Sequence, residues 1–383
     1  MKKFLVKAVC ICAAVLALGS CSGKKKEGIR VAMVTDSGDI TDQSFNQSTY
    51  TAAKEFCEAE ENKLDFKYYK PSADSTEARV ASINQAIQDD YNVIILPGFL
   101  FAEAIVKVAE DNPNVKFIGL DVSEYDLNAA ANAGVKEEEW ANYPIPINVF
   151  CCVYQEEIPG FMAGYAAVKE GYKHLGFLGG LNVPAVIRYG FGFVQGVNAA
   201  AEEMGIADQV AVEYVYGGQF FGDPAITAQM DTWYSIKAVE VVSACGGGIW
   251  SSAAEAAKKV NGKLIGVDVD QSAQINAYNA DSCVTSAMKG LGATVKSVLK
   301  SIKDGTFDGT YAGRNQNLGL VSDTEIENNY VQLPVDTWSM KSFTVEDYKA
   351  LVADIYNGKI KISNDIEKDP VVSVKFTKYA NIK

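Results

Sequence analysis

From residue 29 onward, short apolar runs alternate with segments whose apolar side chains recur every three or four residues. A short apolar run is typical of a buried strand, and the recurring spacing is typical of an amphipathic helix. Strands are predicted at residues 29–35, 63–70, 91–98, 115–121, 145–153, 174–180, 210–216, 239–248, 263–268, 283–288 and 371–376. Helices are predicted at residues 75–89, 101–111, 156–169, 184–203, 224–233, 291–302 and 344–356. Two further helices are predicted, one after the first strand and one that follows the glycines at 246–248 and ends at residue 259. Residues 122–143 have weak periodicity and are predicted to form a long excursion.

The alternation runs to about residue 150 and then restarts, so it predicts two lobes, each a doubly wound parallel sheet of the α/β class. A chain of 383 residues also exceeds the size of most single cores. We assign residues 29–150 and 289–315 to lobe 1, and residues 151–288 and 316–383 to lobe 2. The segment from residue 311 to residue 383 is too short for a third domain and is expected to complete the lobes.

The turn from Asp36 to Asn46 connects the first strand to its helix. In open α/β sheets, ligands bind outside the carboxyl ends of the strands, where such turns converge. This turn carries three carboxylates, a glycine and an aromatic side chain, Phe45, beside the amide of Asn46. Two interpretations remain open at this point. Phe45 projects into a cleft and presents its face to a ring, or it packs under the sheet while Asp42 caps the helix.

The N-terminus has the features of a processing segment. Three lysines precede an apolar stretch from Val9 to Leu18, which is too short to span a bilayer. The stretch ends in Leu18-Gly-Ser-Cys21, which resembles the bacterial lipobox. Residues 1–20 are therefore predicted to be a lipoprotein signal peptide, Cys21 the lipidated residue and residues 21–28 a tether. The alternative is an ordinary secretory signal with an incidental cysteine.

Composition and charge exclude several classes of protein. Hydrophobic residues make up 48% of the chain and charged residues 22%, which is ordinary for a globular protein. The net charge of −13 argues against nucleic acid or an anionic membrane surface as the main partner. The cysteines beyond the lipobox have no metal-binding spacing and lie in apolar or small-residue contexts, so we expect five buried thiols, at positions 57, 151, 152, 245 and 283.

The sequence offers little for catalysis. His174 is the only histidine, and it begins a strand at the edge away from the carboxyl ends. No GxSxG or GxGxxG motif is present, and the glycines at 246–248 lack the lysine of a P-loop. Asp36, Asp39 and Asp42 lack the ligand density of a calcium loop. We therefore predict a binding protein that is not an enzyme and uses no metal or cofactor.

The predicted strand ends favour a neutral polar ligand. Glycines there allow a ligand to approach the backbone, carboxylates accept hydrogen bonds from hydroxyls or amines, and aromatic rings can stack. The candidates at or after these ends are Asp36, Phe45, Gly98, Asp121, Gly179, Gly180, Phe193, Gly246–Gly248, Trp250, Asp268 and Lys289. A ligand with a flat ring and several hydroxyls, such as a nucleoside, fits this set.

Several motifs together resemble a known family. They are Asp36-Ser-Gly-x-x-x-Asp42-x-Ser-Phe-Asn46, Ile118-Gly-Leu-Asp121, Gly179-Gly-x-x-x-Pro184 with Arg188 and Phe193 beyond, the Gly246-Gly pair, Ile265-Gly-Val-Asp268 and Thr285-Ser-x-x-Lys289. From about residue 29 to the end, the sequence resembles the basic membrane protein family of bacterial lipoproteins and, within it, the purine nucleoside receptor lipoproteins. The resemblance implies a type I periplasmic-binding-protein fold, with two lobes, a multi-strand hinge and the ligand enclosed between the lobes.

The resemblance also implies roles for individual residues. Phe45 and Phe193 would sandwich the base. Asn46 and Asp121, with Asp36, would hydrogen-bond its edge. The backbone of Gly247 and the side chains of Asp268 and Lys289 would hold the ribose. Family members often have Gly-Gly-Thr-Gly where this chain has Gly246-Gly-Gly-Ile-Trp250, so Trp250 is expected to narrow the ribose end or replace a contact.

The resemblance therefore implies a monomeric, lipid-anchored substrate-binding protein on the outer side of a bacterial cell membrane. It would capture nucleosides of the inosine, adenosine and guanosine class and deliver them to an ABC permease. Three alternatives remain: the same fold binding a sugar or small signal molecule, a surface interaction lipoprotein without a transport role, and a nucleoside-cleaving enzyme. The enzyme would need an acid and a base or metal, which the sequence does not supply.

Overall fold

The computed structural model describes residues 28–36 and 38–383 of the chain. The strands are β1 (Arg30–Val34), β2 (Asp65–Tyr69), β3 (Val93–Pro97), β4 (Lys116–Leu120), β5 (Val149–Tyr154), β6 (His174–Gly179), β7 (Ala211–Tyr216), β8 (Val241–Cys245), β9 (Lys263–Asp268), β10 (Cys283–Lys289), β11 (Arg314–Leu318), β12 (Val331–Gln332) and β13 (Lys375–Lys378). The helices are α1 (Phe45–Glu58), α2 (Thr76–Gln88), α3 (Ala102–Val108), α4 (Glu124–Ala131), α5 (Glu157–Glu170), α6 (Pro184–Glu203), α7 (Pro224–Asp231), α8 (Trp250–Lys258), α9 (Ser272–Tyr278), α10 (Leu291–Lys303), α11 (Phe307–Thr310) and α12 (Val345–Tyr356).

The first sheet has six strands in the order β11-β5-β4-β3-β1-β2, and all of its neighbouring strands are parallel. β1 and β3 are buried along their whole length, as expected for parallel strands covered by helices on both faces. β5 pairs with β4 and β11. The chain therefore stays in the first sheet until Tyr154, four residues beyond the predicted lobe boundary, and the lobe division itself stays a prediction.

The second sheet has seven strands in the order β12-β10-β9-β8-β6-β7-β13. Its neighbours are parallel except for the short edge strand β12, which is antiparallel to β10. The prediction of two parallel α/β sheets is confirmed.

Within the described residues, the chain changes sheets at three places. After β5 the chain passes to the second sheet, as the packing of α5 on α6 and β10 shows. After β10 it returns to the first sheet, where α10 packs on α1, and it passes to the second sheet again between β11 and β12. The carboxyl ends of β5 and β10 therefore lie beside the passages between the sheets.

The pair α5 and α6 packs backbone against backbone. A β-carbon at Gly164 would lie 2.3 Å from the carbonyl oxygen of Phe193, and one at Gly192 would lie 2.1 Å from that of Glu157. Only glycine permits such an approach. This packing decides which face of α6 is buried.

Several local predictions differ from the structure. The predicted excursion at 122–143 contains α4, which begins with a capping box between Ser123 and Asp126. β11 and α9 were not predicted, and the last strand is β13 rather than residues 371–376. The five cysteines of the described region are free and buried, as predicted. Cys21 and the signal segment lie outside the described residues, within which no helix is long and apolar enough to cross a membrane.

Candidate functional site

A cavity of about 700 Å³ lies where the carboxyl ends of the two sheets face each other. Seven of the nine residues predicted to bind ligand line it: Asp36, Phe45, Asn46, Asp121, Gly247, Asp268 and Lys289. The first four follow strands of the first sheet, and the other three follow or end strands of the second. Most of the residues predicted from the rule that ligands bind at carboxyl ends therefore lie at the cavity wall.

In the turn after β1, Asp42 and Phe45 have separate tasks. The carboxylate of Asp42 accepts hydrogen bonds from the backbone N–H groups of Ser44, Asn46 and Gln47 at 2.9–3.0 Å. It therefore caps the start of α1, as one of the two interpretations expected. The same interpretation placed Phe45 under the sheet. Phe45 is half-buried, packs against the core and also lines the cavity, so both interpretations describe part of its surroundings.

Asp36 lies next to the amide of Asn46 at one side of the cavity. Its Oδ1 accepts a hydrogen bond from the N–H of Gly38 at 2.8 Å. A β-carbon at Gly98, where φ is +119°, would lie 2.5 Å from Asp36 Oδ2, so glycine is needed at the end of β3. Burial raises the pKa of Asp36 to about 6, although the Gly38 hydrogen bond acts in the opposite direction.

A buried charge cluster surrounds Lys289, the last residue of β10. Its Nζ lies 2.5 Å from Asp121 Oδ2, 3.4 Å from Glu156 Oε1 and 3.8 Å from Asp268 Oδ1. Arg188 Nε donates to the other oxygen of Glu156 at 2.6 Å. Burial raises the pKa of Asp121 to about 6, opposed by the positive charge of Lys289. Burial also raises the pKa of Asp268.

Glu156 was not predicted to be a site residue. Glu156 is fully buried and follows β5 by two residues, so the strand-end rule would have found it. Because a helix was predicted to begin at residue 156, Glu156 was taken for an ordinary acidic residue of a first helical turn. Its contacts with Lys289 and Arg188 tie the start of α5 and α6 to the cavity wall.

Hydrogen bonds join the two sides of the cavity. Ser44 Oγ donates to Asp268 Oδ2 at 2.5 Å. The buried side chain of Gln271 donates from Nε2 to the carbonyl oxygen of Gln43 at 2.9 Å. Because Ser44 follows β1 and Asp268 ends β9, these bonds hold the turn of the first sheet against the second sheet.

Three buried polar atoms of the cavity wall have no hydrogen-bond partner among the described residues. They are Asn46 Oδ1, Asp121 Oδ1 and the hydroxyl of Tyr189. Buried polar atoms are almost always hydrogen-bonded, because burying one without a partner costs free energy. The wall therefore offers two acceptors and one hydroxyl to a ligand that can donate hydrogen bonds.

Two predicted site residues do not reach the cavity, and those predictions are corrected. Phe193 lies within α6, is fully buried and packs with its ring centroid 6.1 Å from that of Phe177. It is core, because this face of α6 packs on α5 and β6. Trp250 begins α8 and is 5% exposed, with its ring edge-on to Tyr278 at 5.5 Å. It belongs to the core of the second sheet.

Phe220 and Tyr189 line the cavity instead. Phe220 follows β7 by four residues, at the carboxyl end that the strand-end rule singles out. Its ring packs on Gly180 and Gly246, where a β-carbon would lie 2.5 Å and 2.9 Å from Phe220 Cδ1. Those glycines were predicted to let a ligand approach, and part of their role is to admit this ring.

The described residues contain no cluster of three or more histidine, cysteine or acidic side chains arranged to hold a metal ion. His174 begins β6 and lies 3.2 Å from Glu213, away from the cavity. The cavity thus offers aromatic faces, carboxylates and basic side chains for binding.

Comparison with known sequences gives one family over most of the chain. Residues 29–365 match the model of the ABC transporter substrate-binding protein PnrA-like family, Bmp. The nucleoside-binding ABC transporter protein BmpA of Lactococcus lactis is 25% identical over 357 residues, which are 89% of this chain and 91% of that protein. Basic membrane protein A of Borreliella burgdorferi is 27% identical over 340 residues, 85% of this chain and 90% of that protein.

Solved structures show the fold. An ABC transporter solute-binding protein of Conexibacter woesei superposes with a TM-score of 0.65 at 21% identity, covering 88% of this chain and 99% of that one. The Lac repressor bound to ONPG gives a TM-score of 0.51 at 15% identity, covering 80% and 81%. The predicted type I periplasmic-binding-protein fold is confirmed.

Proposed function

This chain belongs to the PnrA-like family of ABC transporter substrate-binding proteins, and from that premise we propose that it captures nucleosides, purine nucleosides first, for an ABC importer. The family consists of binding proteins, so the chain is a binding protein for an ABC transporter and not an enzyme. Basic membrane proteins among its relatives indicate a membrane-associated protein outside the cytoplasm. We further propose that the lipid attached to Cys21 provides the anchor.

The observation that carries the nucleoside proposal is the ring of Phe45 beside unpaired acceptors. Phe45 and Phe220 line the same cavity as Asn46 Oδ1 and Asp121 Oδ1. A purine has a flat face that stacks on an aromatic ring and N–H groups that donate to amide and carboxylate oxygens. A sugar alone would use the acceptors and leave the aromatic faces with smaller contacts.

The geometry suggests a division of the cavity between base and ribose. Phe45, Asn46 and Asp36 are adjacent, because they belong to one turn, and they would hold the base. Asp268, Lys289 and the backbone of Gly247 lie at strand ends of the second sheet and would hold the ribose hydroxyls. Phe220, rather than Phe193, would supply the second aromatic contact. The nucleoside-binding activity named for BmpA of Lactococcus lactis supports this ligand class.

Isothermal titration of a soluble form that begins after Cys21 tests the proposal. Inosine, adenosine and guanosine should bind, whereas ribose, galactose and free hypoxanthine should bind more weakly or not at all. A protein that binds a sugar but no nucleoside would support the alternative ligand class. A protein that binds neither a sugar nor a nucleoside would favour a surface interaction role. Either of these two results would overturn the proposal.

A further inference from the structure

The chain continues beyond its family match and returns to the edge of the cavity. The match ends at residue 365, yet residues 375–378 form β13, which pairs in parallel with β7. Beyond β13, the N–H of Tyr379 donates to the carbonyl of Tyr214 at 2.8 Å, and that of Ile382 donates to Tyr216 at 2.9 Å. Residues 379–383, here called the strap, therefore follow β7 to its carboxyl end.

The strap contacts the loop at residues 217–223, here called the Phe220 loop. The ammonium of Lys383 forms an ion pair with Asp223 and donates to Gln219 Oε1 at 3.2 Å. The backbone also fits closely, because a β-carbon at Gly218 would lie 2.7 Å from the main-chain oxygen of Lys383. Asp223 in turn caps α7 by accepting hydrogen bonds from the N–H groups of Ala225 and Ile226.

The inner side of the Phe220 loop faces the cavity. The carbonyl oxygen of Phe220 accepts a hydrogen bond from the N–H of Gly248 at 2.8 Å, and its ring packs on Gly180 and Gly246. The loop is thus held between the strap on its outer side and the glycines of the cavity wall on its inner side. Lys383 itself does not line the cavity.

We propose that Lys383 is a positioning residue: it anchors the Phe220 loop to the strap, so that the ring of Phe220 stands preformed for the ligand. This inference rests on the proposed nucleoside function for its effect on binding. A ring that is already ordered costs less free energy to immobilise when the ligand arrives. The side chain of Lys383 is 46% exposed and that of Asp223 12% exposed, so the contribution is modest, in the range of partly exposed ion pairs.

The experiment compares three variants with a matched control. Lys383→Ala removes the ion pair, and Lys383→Arg keeps a cation at the same position. Asp223→Asn keeps a good helix cap while removing the negative charge. The control is Lys359→Ala, which breaks a similar ion pair with Asp354, 2.6 Å long, at a position outside the cavity wall. Hydrogen exchange of residues 217–223 is measured without ligand, and inosine binding by calorimetry.

Lys383→Ala and Asp223→Asn should speed exchange in the Phe220 loop and weaken inosine binding about two- to fivefold. Lys383→Arg should keep the exchange rate of the Phe220 loop and the inosine affinity close to those of the wild type, and Lys359→Ala should change neither. The melting temperature should fall by less than about 3 °C, which separates positioning from a general loss of stability.

Unchanged exchange in Lys383→Ala would overturn the proposal. So would faster exchange with unchanged inosine affinity, because the loop would then not serve the ligand. If wild type does not bind inosine while exchange still quickens in Lys383→Ala, the anchoring by Lys383 is supported and the nucleoside function fails.

Discussion

Lys289→Met would test the charge cluster most directly. The lysine side chain is 2% exposed, and its Nζ contacts three carboxylates, the nearest being Asp121 at 2.5 Å. Methionine keeps the length of the side chain and removes the charge. Glu156 would retain Arg188 as a partner, but Asp121 and Asp268 would lose their main positive neighbour. Breaking a buried ion pair from one side costs about 3–5 kcal/mol of unfolding free energy, because an uncompensated charge remains buried.

The loss should depend on pH in a stated direction. Burial already raises the pKa of Asp121 to about 6 against the opposing charge of Lys289, so removing Lys289 should raise it further. A carboxyl whose folded-state pKa lies above its unfolded value contributes stability that is present at low pH and is lost as pH rises through the folded pKa. The variant should therefore lose most stability at about pH 8 and much less at about pH 5, where Asp121 is protonated.

Urea unfolding at these two pH values provides the measurement. Lys296→Met is the control, since this lysine on α10 is 48% exposed and pairs with Glu55 at 2.8 Å. It should cost less than about 1 kcal/mol at either pH. The double variant Lys289→Met with Asp121→Asn should regain part of the stability at about pH 8, because one uncompensated carboxylate is gone. A loss below about 1 kcal/mol for Lys289→Met, or an equal loss at both pH values, would refute the reasoning.

Three further predictions concern single residues. Phe45→Ala should weaken inosine binding about five- to a hundredfold in calorimetry with little change in melting temperature, because stacking of a base on an aromatic ring contributes about 1–3 kcal/mol; normal affinity would exclude a stacking role. Phe193→Ala should lower the unfolding free energy by about 3–5 kcal/mol and leave the affinity of the folded protein unchanged. Weaker binding without a stability loss would return Phe193 to the cavity. Cys21→Ala should leave the protein unprocessed or soluble in membrane fractionation, and a wild type without lipid mass would contradict the anchor.

Both sheets could be predicted because their central strands are continuous apolar runs between turn residues. The elements that were missed lack that signal. α4 buries only Leu127, so no apolar face recurs along it, and the capping box of Ser123 and Asp126 was the available clue. β11 has the polar sequence Arg-Asn-Gln-Asn-Leu and no fully buried residue, because it lies at the edge of the first sheet. Its pairing with β5 depends on tertiary contacts that no local pattern encodes.

Site residues could be predicted where they lie at a strand end. They could not be predicted where the packing of a helix decides whether a side chain points into the cavity or into the core. Asp121 comes directly after β4 and Asp268 ends β9, so the backbone brings both to the cavity. Phe193 lies fourteen residues after β6, well inside α6. By that distance, the packing of α5 on α6 determines where the ring points. Phe220, four residues after β7, obeys the strand-end rule and was overlooked beside the more familiar motif.

The charge of the cavity indicates which nucleoside derivatives it should reject. Among the described residues, seven aspartates and three basic side chains line it: Asp36, Asp39, Asp42, Asp74, Asp121, Asp126 and Asp268, and Lys70, Arg188 and Lys289. Lys70, Arg188 and Lys289 already form ion pairs with acidic side chains, which leaves no free cation for a phosphate among the described residues that line the cavity. A phosphorylated nucleoside would bring further negative charge against these carboxylates, where like charges repel strongly because the site is partly buried. We therefore expect the proposed nucleoside ligand to bind more tightly than its phosphorylated form, because the charge of the cavity disfavours nucleotides.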